Sequence, residues 1–135
     1  MKEIIAIIRM NKVNATKKAL VAVGYPGFTA VKVTGRGKLI SDPAIIASRR
    51  EKLLSLSDPE DPVVDELVTG FLNGERLFPR RFINVLVHDK DVTAVVEALI
   101  AANKTDYNVG DGKIFVLPLE EVIRVRTAER GEAAL

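Results

Sequence analysis

The residue pattern predicts an α+β domain: an antiparallel sheet of four strands with two helices on one face. Two observations carry this. Runs of β-branched, aliphatic and aromatic residues at Ile4–Ile8, Phe28–Val33, Phe82–Val87 and Ile114–Leu117 read as strands, and segments of helical spacing follow the first and third of them. The order strand, helix, strand, loop, strand, helix, strand is the split βαβ arrangement, βαββαβ. At 135 residues the chain is expected to be one domain, residues 1–135, large enough for its own core.

Taken in order, Ile4-Ile5-Ala6-Ile7-Ile8 is apolar on both faces, as expected of a central strand covered from two sides. Asn11 is a suitable N-cap for a helix that buries Val13, Leu20 and Val23 and leaves Lys12, Lys17 and Lys18 in water. Gly24 supplies the helix stop and Pro26-Gly27 turns the chain. From Phe28 to Val33 the residues alternate, with Thr29, Val31 and Val33 opposite Phe28, Ala30 and Lys32. Pro79-Arg80-Arg81 leads into the third strand. Asp89 begins a helix whose Val92, Val95, Val96 and Leu99 fall at i, i+3, i+4 and i+7, and a spacer from Asn103 to Val109 leads to the last strand.

Residues 39–77 form a long connection between strands 2 and 3. Asp42-Pro43, Asp58-Pro59 and Asp61-Pro62 each disfavour helix at the aspartate and suit the start of a new segment. Between them, Ala44–Leu56 and Val63–Leu72 have helical character and carry Ile45, Ile46, Leu53, Leu54, Leu67 and Phe71. A compact domain rarely keeps so long a connection without a use. The stretch fits short helices or a segment that folds on a partner.

Composition narrows the function classes. With no cysteine there is no disulfide or thiolate chemistry, which fits a reducing cytoplasm. His88, the single histidine, makes a histidine metal site improbable; its place at a strand end suits a turn-side polar residue. A net charge of +2 with dispersed Lys and Arg and few aromatics argues against nucleic acid, and no run approaches a membrane span or a signal peptide.

The chemistry concentrates near the C-terminus. Gly110-Asp111-Gly112-Lys113 can turn through positive φ and direct successive N–H groups into one concavity that attracts an anion, with Lys113 adding a mobile charge. In Val122-Ile123-Arg124-Val125-Arg126-Thr127 an extended backbone would project both guanidinium groups from one face, completing a cradle for a polyphosphate. The same residues also fit a plain turn followed by a solvated strand face. Thr34-Gly35-Arg36-Gly37-Lys38 is a second basic glycine turn, without the spacing of a Walker loop.

Gly110-Asp111-Gly112-Lys113-Ile114-Phe115-Val116, the segment Val122–Thr127 and the tail Glu132-Ala133-Ala134-Leu135 resemble the C-terminal signature of the P-II nitrogen-regulatory proteins. The similarity also covers Lys2–Gly37 and resumes at Phe78. It implies a ferredoxin-like fold, a homotrimer, and ATP or ADP bound in clefts between subunits. Gly110, Asp111, Gly112 and Lys113 resemble the loop that wraps the phosphates, Arg124 and Arg126 the arginines reaching in from a neighbour. Thr29, Gly35, Gly37 and Lys38 resemble the opposite wall, with lysine standing at position 38 where the family has arginine. Residues 39–77 resemble the family's recognition loop, lengthened.

Several positions depart from the family. Leu39 stands where a glutamine helps hold Mg²⁺ and 2-oxoglutarate, and leucine ligates neither. Arg80 matches the lysine that pairs with the effector's carboxylate. The spacer before Gly110 is one residue longer, displacing Thr105. No tyrosine lies between Leu39 and Leu77, since Tyr25 and Tyr107 are elsewhere, so uridylylation of that loop is excluded. Ser41, Ser48, Ser55 and Ser57 remain as phosphorylation candidates there.

Gly35-Arg36-Gly37-Lys38, the long loop and the ending from Arg126 to Leu135 are most similar to the nitrogenase-associated branch, whose members pair with sister subunits and bind the catalytic component of nitrogenase. The resemblance therefore implies a non-enzymatic regulator of nitrogen fixation. Two other functions stand beside it: a conventional P-II regulator of an ammonium transporter or glutamine synthetase, and a small acyl-phosphate hydrolase on the same fold. For the hydrolase the sequence offers no convincing nucleophile or base.

Overall fold

A sheet whose central strand alternates between core and open face organises the chain. In the computed structural model, described for residues 1–37, 77–106 and 110–135 together with Ala44, Ala47, Ser48 and Glu51, that strand is β1 (Lys2–Arg9). A short 3-10 turn, Met10–Lys12, leads to α1 (Val13–Ala22), then β2 (Thr29–Gly35). After the long connection come β3 (Phe78–Val87), a 3-10 turn at Asp89–Asp91, α2 (Val92–Asn103) and β4 (Lys113–Pro118). The strand order is β2-β3-β1-β4, so β1 lies inside and β4 at an edge. Both of its pairings are antiparallel: Lys2 lies opposite Val87 and Arg9 opposite Arg80, while Lys2 lies opposite Pro118 and Ile7 opposite Lys113 on the other side. The α+β sheet with two helices is as the sequence predicts.

Two compact units make up the chain, Met1–Val33 with Pro79–Leu135, and Thr34–Phe78. In the second, Ala44, Ala47, Ser48 and Glu51 are helical and exposed. The remaining helical expectations for the middle, with Leu39, Lys38 and Tyr107, lie outside the described residues.

Packing in the first unit follows strand periodicity. Ile4, Ala6 and Ile8 of β1 and Ile83, Val85 and Val87 of β3 are buried together with Leu20 of α1 and Val95 and Leu99 of α2. Fully burying such side chains is worth roughly 1.5–3 kcal/mol each. The expectation that β1 is covered from two sides is not met within one chain. Ile5 and Ile7 are only partly buried, because the core against α1 and α2 is formed by the alternate residues and no helix among the described residues of this unit packs on the opposite face.

Polar groups fasten the two helices. Thr16 Oγ1 donates to the Lys12 carbonyl (2.9 Å) and accepts from Asn103 Nδ2 (2.9 Å), which also donates to the Leu99 carbonyl (2.9 Å). Those two acceptors fix the orientation of the Asn103 amide and leave its buried Oδ1 without a partner. Asn103 thus closes α2 rather than opening the spacer. At the other end of the sheet the Tyr25 hydroxyl donates to Asp91 Oδ2 (2.7 Å) and accepts the His88 N–H (3.2 Å). Burial, helped by the Asp91 carboxylate, raises the Tyr25 pKa above its ordinary value. His88 sits at the turn after β3, as expected.

Three local expectations are corrected. Asn11 lies exposed in the 3-10 turn and Lys12 occupies the N-cap of α1, with no side-chain cap. Asp89 opens a 3-10 turn, and α2 begins at Val92. β3 starts at Phe78, because Pro79, Arg80 and Arg81 continue the extended backbone.

Leu99 is fully buried between helix and sheet. Leu99→Ala is therefore expected to lower unfolding free energy in urea by about 2–5 kcal/mol. A loss under about 1 kcal/mol would show that the α2–sheet contact is not the core of this unit.

Candidate functional site

The antiparallel registers bring Arg9, Arg80 and the loop before β4 to one end of the sheet. Arg9 ends β1 opposite Arg80, and β4 begins with Lys113 opposite Ile7, so residues 110–112 approach the same end. Gly110 has φ +80° and Gly112 φ +115°, so the turn through positive φ forms as the sequence predicts. Gly112 is held by close approach too: a Cβ there would run into the Ile7 carbonyl group. A Cβ on Gly110 would lie 3.4 Å from Arg80 Nη2 and 3.6 Å from Arg9 Nη2, which locates both guanidinium groups beside the turn.

Arg9 anchors the loop from within the chain. Its Nε donates to the Gly110 carbonyl (3.0 Å), and its Nη2 lies 3.2 Å from Asp111 Oδ1. Asp111 also accepts the Thr105 hydroxyl on Oδ1 (2.6 Å) and the Thr105 N–H on Oδ2 (2.8 Å). These two hydrogen bonds lead the causes that lower the Asp111 pKa, with Arg9 and Lys12 contributing. Asp111 is thereby a clamp on its own loop. The guanidinium of Arg80 has its pKa lowered, first by burial and then by the neighbouring Arg9 charge. No carboxylate among the described residues pairs with Arg80. Two adjacent guanidinium groups, one of them neutralised in part by Asp111, leave an excess of positive charge where an anion would be favoured.

A cavity of about 210 Å³ opens beside the loop, with Ile7, Ile100, Asn103, Lys104 and Lys113 in its wall. It is smaller than the roughly 300–1,000 Å³ usual for a drug-sized or nucleotide ligand.

Of the residues singled out from sequence, Gly110, Asp111, Gly112, Lys113 and Arg80 come together in this way. Thr29 begins β2, the opposite edge strand from β4. Gly35 and Gly37 belong to the second unit. Arg124 and Arg126 require a correction. The segment 122–131 is not extended but closes on itself: Ile123 bridges Arg130, the Arg124 N–H donates to the Glu129 carbonyl (2.9 Å), and the Gly131 N–H donates to the Val122 carbonyl (2.9 Å). Val125–Thr127 form its turn, with Ala128 at φ +55°. Arg124 is drawn into that hairpin, its Nη1 on Glu129 and its Nη2 donating to the Leu135 backbone oxygen (3.1 Å), while Arg126 is exposed.

The hairpin also begins at the wrong end of the sheet to meet the glycine loop. From Lys113 to Pro118, β4 runs to the end where Lys2 lies opposite Pro118, a distance of about 16 Å at roughly 3.3 Å per residue. Leu119 then donates to the Met1 carbonyl (3.3 Å), and Glu132 Oε2 lies 4.0 Å from His88 Nδ1.

Arg9 was not singled out from the sequence. As the last residue of an apolar strand it reads as an exposed terminator, and only the strand register reveals its neighbours. Among the described residues no cluster of three His, Asp or Glu is placed to hold a metal ion, and no helix is long and apolar enough to cross a membrane.

The split βαβ sheet with a glycine turn and two arginines at one end defines a small α+β protein. The chain belongs to the nitrogen regulatory protein P-II family, whose model matches residues 1–129. It is 41% identical over 135 residues to "nitrogen fixation nifHD region glnB-like protein 2" of Methanococcus maripaludis, and 42% identical over 135 residues to the protein of the same description from Methanothermobacter marburgensis; each match covers 100% of both chains. A "nitrogen regulatory protein P-II" of Cereibacter sphaeroides is 37% identical over 135 residues, again covering 100% of both. The family expected from the sequence is borne out, and so is its likeness to the branch named for nitrogen fixation.

The glycine turn is directly testable. Gly112→Ala combines a left-handed φ with a backbone collision, so the loop must shift. An expected loss of about 1–3 kcal/mol in unfolding free energy should accompany it. Wild-type stability in a denaturant titration would contradict the close packing of Gly112 on Ile7.

Proposed function

We propose that this chain is a non-enzymatic signalling protein of the cytoplasm that binds ATP or ADP and, according to the ligand held, uses residues 39–77 to bind the catalytic component of nitrogenase. The observation that carries the proposal is the Gly110–Lys113 loop, with two positive-φ glycines fixed against β1 and two arginines beside it. Its backbone N–H groups and Lys113 would hold phosphates.

One chain does not complete that cradle. Arg124 and Arg126 lie on a hairpin that starts from the far end of β4, and Thr29 on the opposite edge strand. The family resemblance supplies the remedy: in a homotrimer a neighbour's Arg124 and Arg126 reach the phosphates, with Thr29, Gly35, Gly37 and Lys38 as the other wall. Two features fit this reading. Val125, between the arginines, is 98% exposed, an unusual place for valine unless another surface covers it. The sheet face away from the helices carries Ile5, Ile7, Phe82, Leu86, Phe115 and Leu117.

Arg80 is the residue best suited to an effector carboxylate such as that of 2-oxoglutarate. With leucine at 39, the glutamine that would help hold Mg²⁺ is missing. Mg²⁺-dependent 2-oxoglutarate binding is therefore weak or absent in the chain alone and is restored only where a sister subunit supplies the glutamine. The target is inferred from the relatives, whose descriptions tie them to the nitrogen fixation nifHD region. Nucleotide or effector would move the loop only through a difference in affinity for its binding-competent and incompetent states.

Calorimetry on the purified protein should show saturable ATP or ADP binding. Arg124→Ala or Arg126→Ala should each weaken it about tenfold or more, as loss of a charge-assisted contact costs on the order of 1.5–3 kcal/mol. Unchanged affinity in both variants would remove these arginines from the site.

Replacing residues 39–77 by a few-residue linker should leave an assembled, nucleotide-binding protein. Closure entropy changes by only roughly 0.6 kcal/mol per doubling of loop length. The shortened protein should no longer retain nitrogenase catalytic component in a pull-down. If it retains and inhibits nitrogenase, recognition lies elsewhere; if it fails to fold, residues 39–77 belong to the core. Hydrolysis of a labelled acyl phosphate by the intact protein would favour the enzyme reading instead.

A further inference from the structure

Glu129 is bound to Arg124 by main chain and side chain alike. Its carbonyl accepts the Arg124 N–H (2.9 Å), and the Ala128 N–H donates to the Arg124 carbonyl (2.8 Å). Ala128, at φ +55°, turns the chain so that Glu129 comes back beside Arg124. There Glu129 Oε2 accepts from Arg124 Nη1 (2.5 Å) and from the Thr127 hydroxyl (2.7 Å). Arg124 Nη2 donates to the Leu135 backbone oxygen (3.1 Å). Both terminal nitrogens of the guanidinium fork are thus engaged within their own chain, and that edge is one a phosphate grips bidentately. Arg126, two residues on, is exposed and forms no ion pair among the described residues.

We propose that Glu129 is an affinity-setting residue of the nucleotide site: an internal counter-ion that occupies Arg124 and that a phosphate must replace before Arg124 can serve. This rests on the reading above, in which Arg124 of one copy reaches nucleotide held by another. Arg126 needs no such release, so the two arginines enter the site on unequal terms.

Competition rather than support follows from the geometry. A carboxylate that merely oriented Arg124 would leave the terminal edge of the fork open, whereas here Nη1 goes to Glu129 and Nη2 to Leu135. A phosphate at the same fork would also stand close to the Glu129 carboxylate, and like charges repel. The Arg124 and Glu129 side chains are 43% and 45% exposed, so solvent screens their pairing and a phosphate can displace it. The exchange should weaken nucleotide binding by about two- to fivefold, the equilibrium factor of an exposed ion pair.

Calorimetric titration of ATP into the full-length protein tests this. Glu129→Gln keeps the backbone hydrogen bonds and an acceptor for Thr127 but removes the charge. It should tighten ATP binding by about two- to fivefold, and Glu129→Ala should shift it in the same direction. In an Arg124→Ala background Glu129→Gln should change affinity by less than about 1.5-fold, because no guanidinium is left to release. Glu129 is half-exposed on a surface hairpin, so each variant should keep its fold, which far-ultraviolet circular dichroism checks. Weaker or unchanged binding by Glu129→Gln would overturn the role, since the carboxylate would then orient Arg124 or stand apart from the site. A gain that survives Arg124→Ala would overturn it too, because Glu129 would act through its charge alone. Failure of the underlying reading looks different: ATP that does not bind, or that binds wild type and Arg124→Ala equally, removes Arg124 from the site and this inference with it.

Discussion

The double pairing of β1 is the constraint on which the rest of the described fold depends. With β3 on one side and β4 on the other, β1 has no slack in register. A one-residue slip would turn Ile4, Ala6 and Ile8 away from Leu20, Val95 and Leu99 and bring Glu3 and Arg9 into their place. The same register decides where the functional groups meet. Arg9 is level with Arg80 because β1 and β3 end there together. Gly112 lies against the Ile7 carbonyl because β4 begins opposite Ile7. Core packing and site geometry are thus fixed by one set of backbone hydrogen bonds.

At that end of the sheet electrostatics and packing work against each other. Burying Arg80 and bringing Arg9 beside it both cost free energy, and in that order they lower the Arg80 pKa. Asp111 offsets part of this through Arg9, but its carboxylate is already engaged by Thr105 and remains inside the loop. A bound anion would offset the remaining repulsion between the two guanidinium groups. Glycine suits position 110 because its φ of +80° is one that L side chains rarely adopt.

Much of the architecture was legible because apolar periodicity and glycine turns are local signals. The strand Ile4–Ile8, the helical spacing of Val92, Val95 and Leu99, and the turn at Gly110–Gly112 could all be read from neighbours in sequence. Where long-range partners decide, local reading failed. The start of β3 was hidden by Pro79 and two arginines, which are tolerated because the strand is just beginning there. Thr16 was not singled out and Asn103 was assigned to the spacer, yet both are buried, each with the other as a hydrogen-bond partner. Arg9 needed the register of β3 and the loop before β4. Val-Ile-Arg-Val-Arg reads as extended by propensity, but backbone bonds from Arg124 to Glu129 and from Gly131 to Val122 fold it into a hairpin.

That last reversal has a consequence for how the molecule must be understood. An extended Arg124–Arg126 segment within easy reach of its own glycine loop would have allowed each chain to bind a polyphosphate alone. A hairpin rooted at the Lys2 end of the sheet, with Arg124 engaged by Glu129 and Val125 exposed, starts at the opposite end of β4 from the glycine loop of its own chain. Phosphate at a neighbour's loop would have to compete with Glu129 for Arg124, so the free energy of that exchange would enter the nucleotide affinity directly. Binding and assembly would then be linked in both directions: nucleotide tightens the contact between copies, and assembled copies hold nucleotide more tightly by the same factor.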